Sequence, residues 1–233
     1  MRQWPSLLVA VVILALVPGP ALGQDGPEDA ATVAILDFEG FMMSDAGNSP
    51  HIGKAVSNML VTEFSDRDGI RPIERHQLQS ILTEQGLALS GRVDEGTATD
   101  IGNLVGAQYM ITGQASSVGD ELRLDIRIVD VETSQILETL RLTDGPEDLL
   151  GLVVDIADEF YDRLQLTPPS QRTQVEEIPV QATIEFSRAL DYEDQGDTEN
   201  AIAHYREALE IYPDHRDAQR ALERLEGNGG LDR

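Results

Sequence analysis

Gly47, Gly53 and Lys54 stand between an apolar run and a helical pattern, which is where nucleotide-binding proteins carry a phosphate-binding loop. In such a loop four residues separate the first glycine from the Gly-Lys pair, and a serine or threonine follows to hold magnesium. In this chain five residues separate Gly47 from Gly53, and Ala55 follows the lysine. The pattern therefore argues against nucleotide binding, and we interpret Lys54 as a solvated residue of the helix.

The other residues that could do chemistry form no recognisable site. The chain has no cysteine, which excludes disulfides, thiolate metal sites and cysteine nucleophiles. Its four histidines have no metal-ligand spacing, and neither Gly-x-Ser-x-Gly nor His-Glu-x-x-His occurs. Acidic pairs such as Asp94-Glu95 and Glu147-Asp148 stand near expected helix starts, where carboxylates are favoured. We therefore predict that the protein is not an enzyme and has no catalytic residue, no cofactor and no metal site.

The charge of the chain limits its partners. The formal net charge is −25 and the pI is about 4.2. Nucleic acid and anionic lipid surfaces would repel such a chain, so we expect neither as the main partner. Lys54 is the only lysine among the 17 basic residues.

Residues 1–23 have the pattern of a secretory signal peptide. Arg2 is a minimal charged start, residues 7–17 are apolar, and small residues precede Gln24. Because the apolar run is too short to cross a hydrocarbon core of about 30 Å, we predict cleavage, with an uncleaved anchor as the alternative. No cysteine is available to carry an acyl chain, so a lipid anchor is not expected. The predicted location is the periplasm, and an association with the outer membrane stays open.

Residues 31–165 predict one α/β domain. Strand patterns occur at 32–38, 70–73, 108–118, 121–131 and 136–142. One-sided apolar stripes, which are typical of helices, occur at 52–64, 78–82, 98–105 and 149–164. Residues 40–50 are interpreted as a loop. Thr97 and Asp100 have the spacing of a capping box, and Gly106 is predicted to end that helix with a positive φ.

A gapless series of residues gives this domain a family resemblance. The series is Glu74-Arg75, Leu78, Ile81-Leu82, Glu84-Gln85, Ser90-Gly91, Val93-Asp94, Thr97-Ala98, Ile101-Gly102, Leu104, Gly106-Ala107, Tyr109, Ile111 and Gly113. It resembles the CsgG family of curli secretion and assembly components and the related flagellar FlgO proteins. The resemblance implies a mixed sheet with flanking helices. It also implies a homo-oligomer, since CsgG forms rings.

The C-terminal part of the chain is purely helical in pattern. Residues 166–180 contain three prolines among polar residues and predict a linker. Residues 181–226 then resemble one tetratricopeptide repeat with a capping helix, and residues 227–233 are predicted to be a flexible tail. The matching residues are Ala189, Tyr192, Gly196, Asp197, Ala201, Tyr205, Ala208 and Pro213. A single repeat cannot bury its own core well, so we expect it to pack on the third helix, on the α/β domain or on a partner.

The repeat implies a protein partner. Phe186, Glu193 and Asp194 are the candidate partner-binding residues of its inner face, and the favoured alternative is that they are ordinary structural or solvated residues. The functional hypothesis is a non-enzymatic, exported accessory protein of assembly or secretion in the cell envelope. Its alternative is a soluble periplasmic regulator of an envelope enzyme, similar in architecture to the LpoB-type activators of peptidoglycan synthases.

Overall fold

A computed structural model describes residues 30–44, 47–85, 93–166 and 175–228. The predicted signal peptide and most of the predicted linker and tail lie outside these ranges. The strands are β1 (Ala31–Ile35), β2 (Glu39–Ser44), β3 (Gly47–Ser49), β4 (Ile70–Pro72), β5 (Tyr109–Val118), β6 (Glu121–Asp130) and β7 (Gln135–Asp144). The helices are α1 (Ile52–Ser65), α2 (Arg75–Glu84), α3 (Glu95–Val105), α4 (Leu149–Leu164), α5 (Val180–Asp194), α6 (Thr198–Ile211) and α7 (Arg216–Asn228).

The described strands form one seven-stranded mixed sheet centred on β5. One edge of β5 pairs with β6 in antiparallel fashion along its whole length, and β7 continues that hairpin. The other edge of β5 is shared by β1 and β2, which pair with it in parallel over its first and last halves. β4 pairs with β1, and β3 pairs with β2. The predicted α/β class with a mixed sheet is confirmed.

Helices α1 and α4 cover one face of the sheet. The alternation in β6 explains why, because Leu122, Leu124, Ile126 and Ile128 all point to this face and are fully buried. They join Phe64 and other apolar side chains of the two helices in the larger core cluster. Burial of apolar side chains at this density is the main force that holds the layer together.

Helices α2 and α3 cover only part of the opposite face. They pack over β1 and the adjoining ends of β5 and β6, where Ala34, Met110 and Val129 belong to a second core cluster. The central parts of β6 and β7 carry Arg123 and Arg141 on this face instead. We call this uncovered region the open half of the sheet.

The C-terminal helices pack on the α/β part of the chain. Helices α5 and α6 form a helical pair that turns at Gly196, whose φ of 76° suits a glycine. Helix α7 packs on α6, and α5 lies on α1 and β3. The repeat therefore uses two of the three supports expected for it, the third helix and the α/β domain. The predicted domain limits stay predictions.

Residues 40–50 differ from the predicted loop, since they contain most of β2 and all of β3. Strand β2 obtains its hydrogen bonds from β5, which is more than seventy residues away in sequence. Gly40 permits this pairing because a Cβ there would lie 1.6 Å from the carbonyl oxygen of Ala115. Such a distant partner leaves no mark in the local pattern.

The start of α3 also differs from the prediction. Asp94 is the N-cap, and its side chain accepts a hydrogen bond of 2.8 Å from the backbone N–H of Thr97. The capping box at Thr97 and Asp100 is therefore wrong by one turn. The predicted end is confirmed, because Gly106 has a φ of 71°.

Candidate functional site

The contact between α1 and α5 is the most elaborate polar site that the described residues form. Small side chains of the repeat, Ala189, Ala201 and Ala208, are fully buried and allow its helices to approach closely. Helix α1, on which α5 lies, is mainly apolar, and its charged residues are Lys54 and Glu63. The contact places side chains more than 100 residues apart in sequence next to one another.

Lys54 lies inside this contact. Its Nζ atom donates hydrogen bonds to Asp191 Oδ1 at 2.8 Å and to Asp194 Oδ2 at 2.6 Å, both on α5. Burial alone would lower the pKa of Lys54, but the hydrogen bonds and charges of the two aspartates raise it overall. The interpretation of Lys54 as a solvated helix residue is therefore wrong, because the repeat covers it.

Arg75, the first residue of α2, completes the same group of charges. Its guanidinium donates two hydrogen bonds to Asp194, at 2.6 and 2.7 Å, and two to Asp37, both at 2.7 Å. Its side chain is only 7% exposed. Burial opposes the charge of Arg75, yet the hydrogen bonds and charges of Asp194 and Asp37 leave its pKa above the ordinary value.

Asp194 therefore receives both cations. Burial would raise the pKa of the Asp194 carboxyl, but Arg75 and Lys54 lower it overall, so the carboxylate is the stable form. We call Asp37, Lys54, Arg75, Asp191 and Asp194 the buried ion cluster, after the buried Arg75 at its centre; the other four side chains are 20–24% exposed. The cluster connects α1, α2 and the segment that follows β1 to α5 of the repeat, and it fixes the orientation of the repeat through bidentate geometry.

A second polar contact lies between the end of α1 and helix α7. Arg216 donates to Asp66 at 3.2 Å, and Arg220 donates to it at 2.8 and 3.0 Å. A buried pair of hydroxyls, Ser49 and Ser187, meets at 2.6 Å between β3 and α5. The repeat is thus bound to the α/β part at three separate points.

The three residues predicted to bind a partner all have partners within the chain. Phe186 is fully buried, with its ring centroid 5.8 Å from that of Tyr205. Glu193 accepts hydrogen bonds from Tyr205 Oη at 2.8 Å and Arg224 Nη2 at 3.0 Å. Asp194 belongs to the buried ion cluster. Direct contact of these side chains with another protein would require them to leave these partners, and their role in partner binding stays a prediction.

Two histidines contact α5 in the structure, and their spacing in the sequence did not indicate these contacts. His204 Nδ1 lies 2.8 Å from Glu185 Oε2, and Glu207 lies close enough for the three to surround a cation. The buried carboxylate of Glu185 also accepts a hydrogen bond of 2.6 Å from Arg188, and its contact with His204 links α5 to α6. Histidine and carboxylate stand 19 residues apart, a spacing that belongs to no metal motif.

His215 is the second such histidine. Its ring is buried with the centroid 4.6 Å from that of Phe186, and neither nitrogen has a hydrogen-bond partner within the described residues. Burial lowers its pKa, the charge of Asp217 raises it and that of Arg216 lowers it, and the net direction is downward. The neutral imidazole is therefore the form that the fold accepts.

Among the residues that the structure describes, no helix is both long enough and apolar enough to cross a membrane.

Several solved structures are similar to the chain at low identity. The LpoB C-terminal domain from Escherichia coli shares 17% identity, with 53% of this chain and 89% of that chain covered and a TM-score of 0.41. Lipoprotein GNA1162 from Neisseria meningitidis shares 11%, with coverages of 57% and 99% and a TM-score of 0.41. The PelC dodecamer from Paraburkholderia phytofirmans shares 12%, with coverages of 60% and 91% and a TM-score of 0.33. TM-scores this low carry no argument.

No curated protein matches the chain. Family models do match it, in both of the parts that the sequence distinguishes. Residues 23–119 match the model of CsgG, the curli production assembly/transport component, and residues 182–215 match that of the tetratricopeptide repeat, which confirms both resemblances.

Proposed function

We propose that this protein is a non-enzymatic, exported accessory protein of assembly or secretion in the cell envelope, which holds a protein partner with its tetratricopeptide repeat. The observation that carries the proposal is the presence of both family matches in one chain. The CsgG match points to assembly or transport of an envelope component, and the repeat points to protein binding. The predicted signal peptide at 1–23 supports export to the periplasm.

The geometry supports an adaptor in which the repeat has a fixed orientation. The buried ion cluster and the pairs of Asp66 attach α5 and α7 to the α/β part. Because α5 faces α1, the exposed side chains of α6 are the surface that the repeat offers. Glu199, Arg206 and Glu207 are exposed there. In this proposal Phe186 and Glu193 support partner binding by holding the helices of the repeat together.

A non-enzymatic role agrees with how the buried charges are used. Lys54 and Arg75 each donate hydrogen bonds to two aspartates, and one of these, Asp194 of the repeat, is shared by both. Groups held in this way stabilise a structure and are not presented to a substrate.

Site-specific cross-linking in the native host tests the proposal. A photoreactive residue would replace Glu199 or Glu207 on α6, and a matched control would replace the exposed Asp100 on α3. We expect the α6 positions, and not the control, to capture a fibre, flagellar or secretion component that mass spectrometry identifies. Capture of no protein from either α6 position would contradict the proposal.

The same experiment separates the alternative function. A peptidoglycan synthase captured at Glu199 or Glu207 would favour a periplasmic regulator of an envelope enzyme. Homo-oligomerisation, which the CsgG resemblance implies, is measured separately by light scattering on the chain from Gln24. If the chain is strictly monomeric, the homo-oligomer that the resemblance implies does not form. The proposed role as an adaptor would still stand.

A further inference from the structure

Strand β7 leaves one of its edges unpaired. It is ten residues long, and within the described part of the chain it pairs only with β6. Proteins commonly protect such an edge with charged side chains, above all lysine, or with a proline, a β-bulge or a very short strand. β7 has neither proline nor lysine, its charged residues are Glu138, Arg141 and Asp144, and its one register irregularity, opposite Ile128 and Val129, is confined to its first residues. The rest of the edge can accept another strand through backbone hydrogen bonds.

The side chains of β7 alternate between two environments. Thr139, Arg141 and Thr143 lie on the open half of the sheet, opposite Arg127, Asp125 and Arg123 of β6. Leu140 and Leu142 point the other way and pack against the larger core cluster. A strand added to β7 would continue both faces. Its residues would therefore meet Arg141 between two threonines on one face, and Leu140 and Leu142, flanked by Glu138 and Asp144, on the other.

The open half gathers positive charge in an otherwise acidic chain. The whole chain has 42 acidic and 17 basic residues. On the open half, Asp125 is shared by Arg123 at 2.7 Å and Arg141 at 3.0 Å. No carboxylate of the described residues lies within ion-pair distance of Arg127. Glu121 stands only at the far end of β6, so the cations outnumber the carboxylates beside the middle of β7.

A cavity of about 240 Å³ on the same face is lined by these three arginines. Two further carboxylates, Asp37 and Glu39, also line it. Asp37 is already bound by Arg75, and Glu39 accepts a hydrogen bond of 3.4 Å from Gln114. That hydrogen bond comes from a neutral amide and leaves the charge of Glu39 in place, so the three arginines of the cavity face three carboxylates, Asp125 included. Among the described residues, Arg127, which stands opposite Thr139 of β7, is the arginine of the cavity that no carboxylate pairs with.

We propose that the free edge of β7 binds an extended segment of a partner protein in which apolar and acidic side chains alternate. Backbone hydrogen bonds to β7 would supply the register, and the arginines of the open half would select the acidic residues. The apolar residues would extend the layer of Leu140 and Leu142. This surface is distinct from α6, so the inference does not depend on the repeat.

A second copy of this chain fits the edge poorly. Antiparallel pairing of two β7 strands would bring Thr139, Arg141 and Thr143 together with the same three residues of the other copy. None of these side chains is acidic, so the second copy would bring no new counter-charge. Each Arg141 would keep only the Asp125 that it shares with Arg123, and the two Arg141 side chains would repel each other. The charge pattern thus favours a different protein as the occupant.

Binding of a designed peptide to the purified chain from Gln24 tests the proposal. The probe is a fluorescent eight-residue peptide of alternating valine and aspartate with blocked termini, and the control peptide replaces aspartate with lysine. Fluorescence anisotropy measures affinity, and amide hydrogen exchange locates the site. We expect binding of the aspartate peptide alone, with slower exchange confined to residues 135–144.

Charge-reversing variants sharpen the test. Arg141→Glu should weaken the affinity by about tenfold or more, whereas Arg71→Glu, at an exposed position on β4 at the other end of the sheet, should leave it unchanged. Arg141→Gln, which is milder for folding, should cause an intermediate loss. Equal binding of the lysine peptide, or unchanged affinity of Arg141→Glu, would overturn the proposal. So would light scattering that reveals a dimer which Arg141→Glu dissociates, because the occupant would then be a second copy.

Discussion

Two groups of ion pairs in this molecule use the same residue types in opposite surroundings. In the buried ion cluster, Arg75 is bound by two aspartates beneath the repeat. In the exposed ion cluster, which we define as Arg123, Asp125 and Arg141, two arginines share one aspartate on the open half of the sheet. The distances are nearly the same, between 2.6 and 3.0 Å.

Surroundings, and not distances, decide what each cluster does. Arg75 has lost its water, so removal of its partners would leave an uncompensated charge in a medium of low dielectric constant. Arg141 keeps 68% of its side chain exposed, and water and salt screen its attraction to Asp125. The buried ion cluster is therefore committed to holding two parts of the chain together, while the exposed one is free to exchange its partner for another.

The largest expected effect is that of Arg75→Met. The substitution keeps the apolar stem but leaves Asp37 without its arginine and Asp194 with Lys54 alone. We expect a loss of about 3–5 kcal/mol in the free energy of unfolding, measured by urea denaturation. Arg75→Lys should recover only part of it, because an ammonium cannot make the four hydrogen bonds. A loss below about 1 kcal/mol would mean that the buried ion cluster contributes no more to the free energy of unfolding than an exposed ion pair does.

Lys54→Met should have a smaller effect. Asp194 would keep both hydrogen bonds from Arg75, and Asp191 would keep His51 at 3.4 Å as a neighbour. We expect a loss of about 1–2 kcal/mol in the same denaturation experiment. If the Lys54 and Arg75 variants act through one cluster, the double variant should lose more than the sum of the two single losses, because Asp194 would then keep neither cation.

The next effect depends on pH and concerns His215. Its folded pKa lies below the unfolded value, so the unfolded chain binds more protons in that interval, and stability falls as the pH drops below about 6.5. His215→Leu removes this titration but not that of the carboxylates. Its stability relative to the natural chain should therefore rise as the pH is lowered from 7 to 5. A constant difference across that range would contradict a neutral buried imidazole.

The smallest effect is expected for Arg141→Ala. Its ion pair lies in solvent, and Asp125 would keep Arg123 at 2.7 Å. The free energy of unfolding should change by less than about 0.5 kcal/mol. A loss as large as that of Lys54→Met would mean that the exposed ion cluster also carries stability, and the comparison between the two clusters would fail.

Much of the fold followed from local pattern. The alternation in 122–128 and the Gly119-Asp120 turn identify the β5–β6 hairpin, because a half-buried strand imposes a period of two. The end of α3 at Gly106 followed from the need for a positive φ. The repeat followed from its small and aromatic residues, which are the ones that its helix pair buries.

The site could not be derived in the same way. Lys54 looks like any polar residue of an amphipathic helix, and only the fold brings it to Asp191, 137 residues later. The same holds for β2, whose partner strand is distant, and for His215, whose neighbours come from α5. Pattern reveals which face of an element is buried, but charges that find one another across the chain belong to the tertiary structure.

The position of Lys54 has a chemical consequence. It carries the only side-chain amine of the protein, and that amine is protonated, two-fold hydrogen-bonded and covered by the repeat. Acylating reagents need a free and neutral amine, so Lys54, whose side chain is 21% exposed, reacts when its amine leaves Asp191 and Asp194. The rate at which Lys54 is acylated would therefore measure how often its amine separates from the two aspartates of the repeat, without any engineered label.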